Sequence, residues 1–121
     1  INFKRENLVF SKLDITNDVL PEADVCLVRQ VLQHLSNEDI FSFMKNINGK
    51  YKFLIVTEHL PRSNFKANFN IESNPDTRQL FNSGVVLHKP PFNLKFKSSE
   101  ILLKVNTDLD NSIIETTLYE L

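Results

Sequence analysis

Ala23-Asp24-Val25-Cys26-Leu27-Val28 and Tyr51-Lys52-Phe53-Leu54-Ile55-Val56-Thr57 are two short runs rich in apolar and β-branched residues. Each follows a turn signal, Leu20-Pro21-Glu22 before the first and Asn48-Gly49 before the second. Runs of this kind, with little polar alternation, read as strands buried on both faces, as in a parallel sheet. Between them Ser36 stands where a helix N-cap is needed, with Asp39 three residues on. Ile40, Phe43, Met44 and Ile47 then recur at the spacing of one helical face. Gly49 supplies the stop. Strand, helix and strand within about 35 residues is the length of one right-handed βαβ unit, so α/β with parallel strands is the expected class.

Outward from this unit the pattern weakens. Upstream, Leu8 to Leu13 is a strand candidate that ends in Asp14-Ile15-Thr16. Downstream, Pro61 to Asn82 is polar, rich in Asn and without periodicity, which predicts a long loop. Beyond the stiff corner Pro90-Pro91-Phe92, the runs Ile101–Val105 and Ile113–Tyr119 flank Asp108-Leu109-Asp110-Asn111. That spacing predicts an antiparallel pair closing one edge of the sheet.

Composition narrows the functions. With 121 residues the chain is one domain, and 14 Lys+Arg against 15 Asp+Glu leave a net charge of -1. No basic run is present to neutralise phosphates, so neither nucleic acid nor a membrane surface is an expected partner. No apolar stretch reaches the roughly 20 residues of a membrane span, and no basic-then-apolar leader opens the sequence. A single Cys26 and no Asn-x-Ser/Thr acceptor agree with a cytoplasmic location. Only two glycines, Gly49 and Gly84, occur, so the chain has no Gly-rich loop to cradle a phosphate or a cofactor tail. Ile1, in the place of Met, raises the expectation that this is a piece of a longer protein.

In an open parallel sheet, ligands bind beyond the carboxyl ends of the strands. Those ends are Asp14 after the first strand, Arg29 and Gln30 after the second, and Glu58 and His59 after the third, with His34 on the same rim. Each has a structural alternative. Asp14 can cap its own turn. Arg29 can pair with Glu58 or Asp14. His34, between Leu32 and Leu35, can be a hydrogen-bonded, half-buried imidazole instead of a proton carrier. Cys26 reads as a small core residue. No His or Cys spacing matches a metal pair, and no Gly-x-Ser-x-Gly elbow is present, so neither a metal site nor a serine triad is expected.

The string Ala23-Asp24-Val25-Cys26-Leu27-Val28-Arg29-Gln30-Val31-Leu32-Gln33-His34-Leu35-Ser36 resembles the fourth strand and following turn of the Rossmann-like, S-adenosylmethionine-dependent methyltransferases. Leu13-Asp14-Ile15-Thr16 is similar to that family's acidic turn after its third strand, and Phe53-Leu54-Ile55-Val56-Thr57-Glu58 to its fifth strand. Arg78, followed by Val85 to Leu94 with Pro91-Phe92-Asn93, resembles a later stretch of a small-molecule-like subgroup. The resemblance implies methyl transfer from S-adenosyl-L-methionine to a small molecule. It places Asp14 on the adenine amino group, Ile15 against the ring and the backbone around Arg29 and Gln30 at the methionine end. His34 is the candidate base and Arg78 a substrate anchor, with residues 61–82 a substrate-side loop.

Gln30 stands where the family commonly has Asp. The family's Gly-rich loop and ribose-binding acid have no counterpart here, and its strand order, 3-2-1-4-5-7-6, sets two strands between Leu8–Leu13 and Ala23–Val28. Residues 1–121 are therefore expected to be a single partial domain, the carboxyl-terminal portion of a methyltransferase and inactive alone, with an exposed sheet edge prone to self-association. The alternatives are a non-catalytic α/β interaction module or decayed domain and, behind it, a nucleotide-binding oxidoreductase.

Overall fold

A computed structural model describes residues 5–108 and 111–121 of the chain. Its centre is the predicted βαβ unit. Strand β1 spans Val25–Arg29, helix α1 Asn37–Ile47 and strand β2 Phe53–Pro61. β1 and β2 are parallel, with Val25 beside Phe53 and Arg29 beside Thr57. The helix begins as its sequence dictates. Ser36 is extended, and its hydroxyl accepts from the Asp39 amide at 3.1 Å, so one of the unpaired N–H groups of the first turn is satisfied. The other end closes two residues past Ile47, where Gly49 takes φ +74°, a left-handed conformation that costs glycine little.

Strands β3, Ser98–Asn106, and β4, Ser112–Glu120, form the expected antiparallel pair and run longer than the apolar runs suggested. β4 also pairs antiparallel with β2 along all of Phe53–Pro61, which is why β2 continues past Thr57. The four-stranded sheet has the order β1-β2-β4-β3. The fold is thus α/β with a mixed sheet, one parallel pair and the rest antiparallel, where a more fully parallel sheet was expected.

The strand expected at Leu8–Leu13 is absent. The segment forms an isolated bridge, Arg5 to Leu8, and then runs irregularly with Val9 and Phe10 exposed. A strand needs a neighbour for its backbone groups. Among the described residues no strand lies beside this segment.

Side chains alternate across a sheet, so even positions of β1 and β2 share one face. Val28, Leu54 and Val56 lie on it, with Tyr119 of β4, and pack with Ile40, Phe43 and Ile47 of α1 and with Val85, Leu87 and Phe92 of the following loop. On the other face Val25, Leu27 and Leu103 are exposed and Ile55 and Leu118 half-buried. Among the described residues no helix is long and apolar enough to cross a membrane.

Candidate functional site

The rim beyond the carboxyl end of β1 is built by a tight reversal. Gln30 takes φ +52°, and its amide closes the last ladder bond to the Thr57 carbonyl at 2.7 Å. A 3-10 turn, Leu32–His34, follows and leads into the Ser36 cap. β1 stops opposite Thr57 while β2 runs on, so β2 has backbone groups with no strand beside them. Side chains replace that strand: Gln33 Oε1 accepts from the His59 amide at 3.2 Å, and Gln79 Nε2 donates to the His59 carbonyl at 2.9 Å. Buried backbone groups need partners, and two glutamines supply them here.

The long loop is held over this rim by one cation. Arg78 begins a 3-10 turn, Arg78–Phe81, capped by the Thr77 hydroxyl, and is 1 % exposed. Its Nε donates to the Phe69 carbonyl at 2.7 Å. Nη1 reaches the Leu32 and Gln33 carbonyls, each at 3.2 Å, and Nη2 the Leu35 carbonyl at 2.7 Å and Asn37 Oδ1 at 2.8 Å. A guanidinium has five N–H donors, and all are engaged inside the chain. The substrate contact expected at Arg78 is therefore replaced by an internal clasp, because no donor faces solvent.

A second hub shapes the same loop. Asn68 is buried at φ +64°; its Nδ2 donates to the Val86 and Pro90 carbonyls, both at 2.9 Å, and to Lys89 at 3.3 Å, while Oδ1 accepts from the Val86 amide at 2.8 Å. Ser83 ties in beside it, donating to the Lys66 carbonyl and accepting from the Phe69 amide. Residues 61–82, expected as a substrate-side loop, thus lie across the rim with a defined internal scaffold.

Beneath Arg78 sits Glu58, inside β2 and not at its end, and 3 % exposed. Neither carboxyl oxygen closes a hydrogen bond, although the amides of Gln33 and Leu32 lie near enough to favour the charged form. Burial outweighs them and the positive charge of Arg78, and raises the carboxyl to about 8. The guanidinium is in turn pushed down by its own burial, with Glu58 opposing that shift. Glu58 borders a cavity of about 20 Å³, with Leu60, Val85 and Leu87 among its apolar walls and Glu115 and Thr117 at its polar side.

The remaining candidates divide between the two ends of the sheet. Arg29 is exposed and Gln30 half-buried at the rim. His34 is half-buried under the loop, with Nδ1 3.0 Å from the Asp76 carbonyl and Nε2 3.4 Å from Gln33 Nε2. Asp14 and Ile15 lie elsewhere: Asn46, at the last turn of α1, donates to the Ile15 and Asp18 carbonyls at 2.9 and 2.8 Å. An 11-residue helix is about 16 Å long, so Asp14 is a helix length away from the start of α1 and the Arg29–Gln30 rim. Its carboxylate caps its own turn, accepting from the Thr16 hydroxyl at 2.6 Å, the Thr16 amide at 2.9 Å and Asn17 Nδ2 at 3.3 Å. Those bonds, that of the Thr16 hydroxyl first, hold it below the usual carboxylate value. Cys26 is half-buried, and burial pushes its thiol up, which suits a packing residue and not a nucleophile.

A hollow of about 770 Å³ lies at neither set of residues. It opens at the amino end of the parallel strands and is lined by Asp24, Ile47, Lys50, Tyr51, Lys95 and others. Ligands of open α/β sheets bind at the opposite end, so the rim remains the candidate site. Sequence reading missed Gln33, Asn68 and Gln79. Their signal, polar amides in an aperiodic stretch, is the same as that of any solvated loop. No family model, curated protein or solved structure matches the chain.

Proposed function

We propose that the chain is the carboxyl-terminal part of a Rossmann-like methyltransferase domain, which transfers the methyl group of S-adenosyl-L-methionine to a small molecule. The observation that carries this reading is the strand order. If β1, β2, β3 and β4 are the family's fourth to seventh strands, β1-β2-β4-β3 is the half-sheet 4-5-7-6, with the last strand inserted between the fifth and sixth. The Arg29 to Ser36 segment then occupies the carboxyl rim, where the methionine end of the cofactor is expected. The sulfonium is already a good leaving centre, so the protein contributes chiefly positioning and exclusion of water. His34, held at Asp76, is the candidate base where the acceptor must lose a proton.

One observation favours the alternative for these 121 residues alone, a non-catalytic α/β module. Asp14 and the Arg29–Gln30 rim lie at opposite ends of α1, so the adenine and methionine contacts do not form one pocket. Calorimetry of the chain with S-adenosyl-L-methionine is expected to show no saturable heat, and tight binding would overturn the partial-domain reading. Translation of the coding sequence before Ile1 is expected to give a strand followed by a Gly-rich loop. Its absence would overturn the methyltransferase reading.

A further inference from the structure

The long loop carries a hollow of its own, apart from the rim it covers. It measures about 230 Å³, and every residue lining it falls between positions 70 and 81, so its walls are made within one segment and need no neighbouring element. That is room for a small ring, since about 150 Å³ of apolar cavity suffices for benzene. Ile71, Leu80 and Phe81 form the apolar wall, with Leu80 74 % and Phe81 53 % exposed, and Phe69 braces Phe81 with ring centroids 4.6 Å apart. Grouped apolar side chains with a polar rim mark a binding surface.

The wall is fixed from behind. The Asn74 amide donates to the His34 carbonyl at 3.0 Å, the Asp76 carbonyl lies 3.0 Å from His34 Nδ1, and Arg78 holds the turn that carries Leu80 and Phe81. A hollow held in this way needs little further ordering when a ligand enters.

Two acids, Glu72 and Asp76, line the same hollow, and both are exposed. Among the described residues neither carboxylate has an ion-pair or hydrogen-bond partner. Glu72 also borders an adjoining hollow with Glu38 and Asp39 of the first turn of α1. No Lys, Arg or His lines either one, and Arg78 turns its donors inward.

We propose that this hollow binds a small apolar ammonium, a ring or short aliphatic body carrying a protonated amine, with the body against Leu80 and Phe81 and the amine at Glu72 and Asp76. An ammonium offers three N–H donors and an ionised carboxylate only accepts, so two acids can share one cation. A neutral ligand of the same shape would cover the apolar wall and leave the acids to water. An anion would meet like charge. The inference stands apart from methyl transfer, because binding is read without cofactor.

Heteronuclear NMR of the full 121-residue chain at low salt tests it, with phenethylammonium chloride as the probe. Saturable shifts are expected at the amides of residues 70–81, with a dissociation constant on the order of 1 mM. The neutral counterpart 2-phenylethanol is expected to bind about fivefold more weakly, and phenylacetate not to bind. Glu72→Gln with Asp76→Asn should abolish the preference for the ammonium over the alcohol. Leu80→Ser should weaken both ligands alike. All three positions are exposed, so the variants are expected to keep the fold. Shifts that do not saturate or that centre outside residues 70–81, equal affinity for ammonium and alcohol, a preference that survives the double substitution, or unaltered binding in Leu80→Ser would each overturn the proposal.

Discussion

Glu58 couples the fold to pH. Its carboxyl is raised from an ordinary 4.5 to about 8 in the folded chain, chiefly by burial. The groups around it are the Arg78 guanidinium, the Leu32 and Gln33 amides and, across the small cavity, Glu115, itself paired with Lys104. The folded state holds a proton that the unfolded chain has released, so folding takes up a proton between those two values. Stability from this group is complete below about pH 4.5 and is lost as pH rises through about 8, an effect on the order of a few kcal/mol. Glu58→Gln copies the protonated form. Urea midpoints at pH 5 and pH 8.5 should fall steeply for the natural chain and much less for the variant, which should be the more stable of the two at the higher pH. Equal pH slopes for both would mean that Glu58 is not the source.

Among the elements, the decisive contact is between a loop and a strand-to-helix connection. Arg78 binds the carbonyls of Leu32, Gln33, Leu35 and Phe69, so Arg78→Met would strand buried acceptors and should cost about 3 kcal/mol or more. Denaturation measures the loss, and limited proteolysis should shift its first cuts into residues 62–97. The βαβ unit was legible in the sequence because its signals are local: an apolar run, a Ser36 cap, a helical period and a glycine stop. The clasp was not. Arg78 acts on residues more than forty positions away, and a lone arginine in a polar stretch looks the same whether it faces a substrate or a carbonyl cage. Asp14 was misplaced for a related reason. The rule that strand ends gather at one rim holds only for segments that enter the sheet, and Leu8–Leu13 does not.

For the whole molecule, α1, the loop through Phe92 and the turn at Ile15 all pack on the same side of the sheet. Residues 8–13 contribute little to that packing, with Leu8, Val9, Phe10 and Leu13 all exposed. Val9→Ala and Phe10→Ala together should leave the stability read from urea unfolding nearly unchanged, within about 0.5 kcal/mol, as is usual for exposed positions without special contacts. A large loss would show that the segment is docked.

The amide of Asn68 and the guanidinium of Arg78 set the backbone path of the long loop from within, while Phe69, Leu80 and Phe81 stand on its outside. What shapes the loop and what the loop displays are therefore carried by different residues. In a lineage descended from this chain, the outer positions are free to drift from one chemistry to another without moving the backbone beneath them, provided residues 68 and 78 are kept.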